Sequence, residues 1–353
     1  MRLYPEYHYS GVLSAGDRPD RAASSLMPAA GGPKKRGAVP SRIDDAGARN
    51  INSEAFPMTR PDGIHRIGIA LLAMFFSTAA HSGGDDAALS SPPRVRGILR
   101  LEARSRVEAA PGKVEVLSRT LDWPAAETAI IVCDMWDDHW CEGASRRVGV
   151  MVPRMNAVID AARSRGVTVI HAPSDVIGFY DGTPGRARMR DAPAATPPVP
   201  ITRWCAIDPK SEAPLPIDDA DGGCDCSPPC PQRKAWTRQH PGLAVARADG
   251  ISDDGEEIYR YFAARGIKHV VLMGVHTNMC VLGRSFGIRQ MTRLGFDVVL
   301  ARDLTDAMYN PRSRPFVSHA RGTELVVEHV ERHWCPTILG EDLTRVVADS
   351  DGP

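Results

Sequence analysis

From residue 128 to residue 335, short apolar runs alternate with longer amphipathic stretches, and glycines mark most of the changeovers. Thr128-Ala-Ile-Ile-Val-Cys133 is continuously apolar, has strand length and ends on Asp134. A run buried on both sides suits a strand with neighbours on either face better than the edge of a half-wet sheet. The 3.6-residue period of Met155, Val158, Ile159 and Ala162 predicts a helix over 152–165, closed by Gly166 before a strand at 167–170. Ser252 is expected to cap a helix running to Arg265, with Asp253, Asp254, Glu256 and Glu257 in its first turn, where the helix dipole favours them. Gly266 ends that helix, and 269–273 reads as a strand. A helix over 281–294, a strand over 297–301 and a last helix over 323–333 complete the series. The pattern predicts an α/β fold: a mostly parallel sheet with helices on both faces, a Rossmann-type three-layer arrangement. Such sheets bind ligands at the carboxyl ends of their strands.

Residues 124–340 form this predicted domain, with an insertion rich in Pro, Asp, Gly and Cys at 173–241. Residues 94–123 carry two strand-like runs about the turn Ala110-Pro-Gly-Lys113, an N-terminal β appendage without evident chemistry. Residues 83–93 read as a linker and 341–353 as a tail. Residues 1–57 show no sustained hydrophobic period and are expected to be disordered or to precede the true start at Met58. From Met58 a short basic stretch, the apolar run Ile67–Ala80 and small residues near Ser82-Gly83 have the form of a secretory signal peptide. That apolar run is too short to span a bilayer, which takes about 20 residues. The chain is therefore expected to be exported, periplasmic or extracellular, with no membrane attachment after cleavage.

Charge narrows the partners. Lys and Arg number 43, Asp and Glu 43, so the formal net charge is zero, which argues against nucleic acid as a partner. A small-molecule substrate is the expected partner, with homo-oligomers left open. Only six of those 43 basic residues are lysine.

Two strand ends carry reactive residues. Cys133-Asp-Met-Trp-Asp-Asp-His139 follows the first strand, and Gly274-Val-His-Thr-Asn-Met-Cys-Val281 follows the strand at 269–273. A thiol at a helix start lies among unpaired amides and a positive dipole end, which stabilise its thiolate and can hold an oxyanion. A carboxylate at a neighbouring strand end is suited to take the thiol proton. Trp136 and His139 are candidate pocket walls, and Thr277 and Asn278 candidate substrate contacts.

The pair of motifs, an apolar strand followed by Asp-Met and the string Gly-Val-x-Thr-Asn-x-Cys-Val, resembles the isochorismatase-like cysteine hydrolases, which include nicotinamidases and N-carbamoyl amide hydrolases. The resemblance covers about residues 125–335 and omits the β appendage and the insertion. It implies an Asp–Lys–Cys triad, with Asp134 as the aspartate and Cys280 as the nucleophile. It also implies a cis peptide at Val275–His276, which turns the His276 and Cys280 amides into an oxyanion hole. At the position of the family lysine this sequence has Arg247, which keeps the charge but cannot shuttle protons. Lys210 and Lys234, both in the insertion, are the lysines that could fold back over the site.

Some family members bind a metal through an Asp-x-His pair near this strand end. Asp175-Val-Ile177 lacks the histidine, and His171 lies on the other side of Asp175, so no metal and no cofactor are expected. Cys224, Cys226 and Cys230, with Cys205, could ligate zinc, but their spacing is C-x-C-x3-C rather than paired C-x2-C, and in an exported chain a disulfide within this group is the favoured reading of the two.

Three readings follow. The first is a cysteine hydrolase of a small amide, carbamoyl or imide, with Asp134 as base and an acyl-enzyme on Cys280. The second is a diverged or non-catalytic small-molecule binder lacking the family lysine. The third is vinyl-ether hydrolysis of the isochorismatase type, where the thiol would be idle.

Overall fold

The computed structural model describes residues 97–347. The expectations for 1–57, the signal peptide at 58–82 and the linker at 83–93 lie outside the described residues. Within them the elements are β1 (Ile98–Ala110), β2 (Lys113–Pro124), β3 (Thr128–Cys133), α1 (Glu142–Ser164), β4 (Thr168–Ala172), α2 (Pro184–Arg190), β5 (Gly250–Ile251), α3 (Gly255–Arg265), β6 (His269–Val275), α4 (Cys280–Gly283), α5 (Ile288–Arg293), β7 (Asp297–Asp306), α6 (His319–His333), β8 (Thr337–Ile338) and β9 (Val346–Val347). None of the described helices is long and apolar enough to cross a membrane.

The strands form one sheet in the order β2-β1-β8-β7-β6-β3-β4-β5, with β9 also on β1. Strands β8 through β5 of that order run parallel. Every residue of β3 is buried, and its neighbours alternate between two cores. Ile131 and Cys133 face one core, together with Ile258 and Phe262 of α3, Met291 of α5 and Val326 and Val330 of α6. Ile130 and Val132 face the other, with Met155, Val158, Ile159 and Ala162 of α1. This is the three-layer arrangement the apolar runs require: a strand flanked by helices on both sides has no wet face.

Residues 341–347 are not a loose tail, since Leu343 is buried and β9 pairs with β1, and four further local features differ from the sequence reading. The segment 98–124 is not a separate appendage: β1 and β2 form a long antiparallel hairpin, and β1 extends the main sheet through β8 and β9. Helix α1 begins at Glu142, so Pro153 lies inside it. The α3 cap is Asp254, whose carboxylate accepts from the Glu256 and Glu257 amides, while the Ser252 hydroxyl accepts from the Asp254 amide.

The fourth difference shapes the site. The helix expected over 281–294 breaks into α4 and α5 at Arg284–Gly287. From the insertion, Trp204 pairs as an isolated antiparallel bridge with Arg284, and the Cys205 amide donates to the Gly283 carbonyl at 2.6 Å. The insertion thus takes a carbonyl that a continuing helix would use. Gly283 permits the approach, since a Cβ there would stand 2.7 Å from the Trp204 ring. Arg284 itself is extended, with φ −63° and ψ 160°.

Candidate active site

The carboxyl ends of β3, β4 and β6 meet where the sequence motifs expected chemistry. Asp134 follows β3 with a left-handed φ of 47°, uncommon for a residue with a side chain and a local strain that the surrounding contacts must hold. Its carboxylate is wholly buried. One oxygen accepts from the Ser174 amide at 2.7 Å, just past β4, and the other faces Arg284 Nε at 3.3 Å. Burial pushes its pKa up, while Arg284 and a hydrogen bond with Cys280 oppose the rise.

Cys280 opens α4 and is 8% exposed. Burial and the adjacent Asp134 charge push its thiol up, against the pull of Arg284. The peptide Val275–His276 is cis, as the resemblance implied. Among the described residues, neither the His276 nor the Cys280 amide has a hydrogen-bond acceptor. Two free donors next to a thiol suit an oxyanion hole.

The cation beside this pair is Arg284. Its guanidinium meets Asp134 on one side and Asp175 Oδ2 at 3.2 Å on the other. Burial works against its charge, but Cys280, Asp134 and Asp175 together hold it firmly protonated. Arg247 does not reach the site: its side chain is exposed on the loop before β5, and its carbonyl accepts from Arg188. The expectation of Arg247 beside Cys280 is therefore corrected, because the residues leading into β5 turn that side chain to the surface. The spacing held a usable signal for Arg284. Residues four apart on a helix share a face, so a helix opening at Cys280 sets Arg284 on the cysteine's side. Lys234 lies on the rim, its Nζ donating to the Asp175 carbonyl at 2.9 Å. Lys210 is exposed and forms a local turn with Asp208.

Trp136 and His139 line one wall. Trp136 stacks on Trp236 of the insertion at 4.5 Å, and its indole N–H donates to the Ser174 carbonyl. His139 stacks on Trp236 at 5.8 Å and meets the His276 ring edge-on at 5.0 Å. Burial lowers the His139 pKa to about 4, so the ring is neutral near pH 7. Burial likewise keeps His276 neutral. Thr277 and Asn278 do not face this space. The Thr277 hydroxyl bonds that of Thr305 at 2.7 Å, and the Asn278 amide brackets Asp219 and the Met308 backbone. They are corrected from substrate contacts to braces of the loop ahead of Cys280.

His171 is also structural, held between Gln239 and Asp249. A surface cleft lined by Tyr259, Lys268, Phe296 and Asp297 lies at the opposite ends of β6 and β7 and holds no nucleophile.

A mostly parallel sheet covered on both faces, with Asp134, the helix-start Cys280 and the Arg284 cation together at its strand ends, defines an α/β protein with an Asp–cation–Cys cluster at the carboxyl ends of its strands. Residues 247–326 match the family model described as Isochorismatase domain, a segment that contains Cys280 and Arg284 but not Asp134. Over those residues the chain resembles the isochorismatase domain. Similar solved structures include a cysteine hydrolase from Pseudomonas syringae pv. phaseolicola 1448A, at 18% identity over 63% of this chain and 92% of that chain, with TM-score 0.41. An isochorismatase-like hydrolase from Alkaliphilus metalliredigens matches at 15% identity over 63% and 98% of the two chains, TM-score 0.36. A nicotinamidase pyrazinamidase from Acinetobacter baumanii matches at 14% identity over 62% and 98%, TM-score 0.34. A comparison with curated proteins finds no match.

Proposed function

We propose that the chain is a cysteine hydrolase of a small amide, carbamoyl or imide substrate, with Cys280 as nucleophile, Asp134 as base and Arg284 in the part a lysine plays in relatives. The observation that carries this reading is the contact of Asp134 with Arg284 beside the Cys280 thiol.

The site holds one mobile proton between Asp134 and Cys280, plus one fixed positive charge. With the proton on sulfur, the carboxylate and guanidinium form an ion pair. As Cys280 Sγ bonds to the substrate carbonyl carbon, its proton passes to Asp134 and the carbonyl oxygen gains the negative charge. The His276 and Cys280 amides stabilise that oxyanion. Asp134 returns the proton to the leaving nitrogen, the C–N bond breaks, and a thioester remains on Cys280. A water then gives one proton to Asp134 while its oxygen attacks the thioester; the C–S bond breaks, Cys280 regains the proton and the acid departs. Arginine takes no part as a proton carrier, because it stays charged throughout. It keeps both anionic forms of the pair compensated.

Ammonia or amine release from a panel of small amides, carbamoyl compounds and imides tests this reading. Turnover by the native chain that vanishes in Cys280→Ala and Asp134→Asn supports it. Binding of panel members without turnover favours the diverged binder instead. Export, proposed from the pattern of residues 58–82, is tested by N-terminal sequencing of the native protein, and a start upstream of Met58 contradicts it.

A further inference from the structure

Seven residues past Asp134 in the chain, a second set of thiols converges that the hydrolase reading does not use. Cys141, Cys224 and Cys226 place their sulfurs within 4.8 Å of one another. Cys141 Sγ and Cys226 Sγ stand 3.9 Å apart, and Cys230 packs against the same group. Cys205 does not belong to it, since its thiol sits between Thr202 and Gln290. None of the eight cysteines is in a disulfide. The expected grouping of Cys205 with Cys224, Cys226 and Cys230 is thus corrected: Cys141, distant in sequence, takes the fourth position. We propose that Cys141, Cys224, Cys226 and Cys230 are the four ligands of a tetrahedral zinc ion that fastens the insertion to the start of α1.

Spacing is the first support. Zinc binds thiolate at about 2.3 Å, so a regular tetrahedron of four sulfurs has edges of about 3.8 Å. The Cys141–Cys226 separation of 3.9 Å is close to that edge. Four neutral thiols would gain little from such a gathering, because each is a weak hydrogen-bond donor and a weak acceptor.

The surroundings suit anionic sulfur. Cys141 is the N-cap residue of the 23-residue helix α1, among that helix's unpaired amides. The Cys230 amide donates to Cys224 Sγ at 3.5 Å. Four thiolates around a divalent ion leave two negative charges, and Arg312 stands by, donating to the Cys226 carbonyl at 2.8 Å. Arg147 is shared between Asp225 and Asp306, and the Cys141 thiol now donates to Asp225 Oδ1 at 3.5 Å, a contact that metal binding would replace. Outer partners that hold ligands in place are a regular part of metal sites.

The backbone is shaped to bring three sulfurs from one short segment. Gly222 and Gly223 both have left-handed φ, 81° and 72°. A Cβ on Gly223 would lie 2.5 Å from the Met308 backbone, so only glycine allows the loop this close. The site also reaches the active-site wall, since the Cys141 amide donates to His139 Nδ1 at 3.1 Å. An S4 tetrahedron selects zinc or iron among the common metals, and zinc, which needs no geometry from d-electrons, suits a closed structural site.

The test uses the full chain, reduced with a phosphine, given excess zinc, desalted and counted for metal and mass under native conditions. One retained zinc per chain, lost in Cys226→Ser and Cys230→Ser but kept in Cys205→Ser and Cys335→Ser, is the expected result. Cobalt uptake by the metal-stripped wild type keeps the test decisive if those variants fail to fold: one equivalent should give the visible absorption of a tetrahedral cobalt thiolate. It should also shield the four cysteines from alkylation. No retained metal, iron in place of zinc, or a native mass short by the hydrogens of disulfides within the quartet would each overturn the proposal.

Discussion

Arg284 Nε lies 3.3 Å from Asp134 Oδ2, at the point where the chain leaves a helix it would otherwise have continued. Its other nitrogen, Nη2, reaches Asp175, so one planar group compensates two carboxylates at the strand ends. A lysine ammonium is a point charge and would serve one of them well. Arg284→Lys is accordingly expected to keep some turnover, at least tenfold below wild type. Arg284→Met should lose at least a hundredfold, about 2.7 kcal/mol of barrier. Arg284→Met should also lose about 3–5 kcal/mol of stability in urea denaturation, because Asp134 stays buried without its partner.

Arg247→Ala provides the complementary measurement. Its exposed side chain takes no part in the site, so kcat/KM should remain within about twofold of wild type, the free energy of a surface change being about 0.5 kcal/mol or less. A large loss would restore Arg247 to the role its sequence position suggested.

Gly283→Ala should act on the site from a distance. The added Cβ would meet two atoms of the Trp204 ring at 2.7 Å, and a ring held by its own backbone bridge cannot turn away cheaply. Overpacking of this kind costs about 1–3 kcal/mol. Thermal denaturation should show that loss, and turnover should fall as Arg284 moves with its neighbour.

Glu212, buried among His329, Trp334 and Arg289, should govern acid stability. Burial would raise its pKa, but the hydrogen bonds from His329, Arg289 and Trp334 win and hold it at about 2. A depressed carboxylate stabilises the fold above its unfolded value of about 4.3, and that contribution is lost as pH falls toward 2. Glu212→Gln should therefore lower stability at pH 7 and flatten its fall between about pH 4.3 and 2, as measured by denaturant titration at several pH values.

How much of this was legible in sequence depends on how local each cause is. The continuous apolar run of β3 and the Gly-Val-x-Thr-Asn-x-Cys-Val string are local, and they located Asp134, Cys280 and the cis peptide at Val275–His276. The break at Arg284 is not local, because Trp204 of the insertion imposes it across the sheet end. The same holds for Cys141. Its sulfur meets Cys226 across 85 positions of sequence, and no spacing rule within the insertion could have supplied it. Thr277 and Asn278 looked like substrate contacts because they stand just ahead of Cys280. In a tight loop ahead of a buried helix start, however, such polar groups must satisfy the backbone around them.

In the proposed mechanism Asp134 and Cys280 behave as one proton-sharing pair beside a fixed positive charge. Moving the proton from sulfur to carboxylate does not change the net protonation of the pair, so its reactivity depends on pH only at the pair's joint titrations. The direct measurement is the rate of iodoacetamide labelling at the Cys280 peptide, followed by mass spectrometry from about pH 6 to pH 9. In the wild type the rate should be nearly level across that range. In Asp134→Asn the rate should be lower and rise about tenfold per pH unit, as a lone buried thiol requires. A wild-type rate that climbs tenfold per unit, unchanged by Asp134→Asn, would contradict that mechanism.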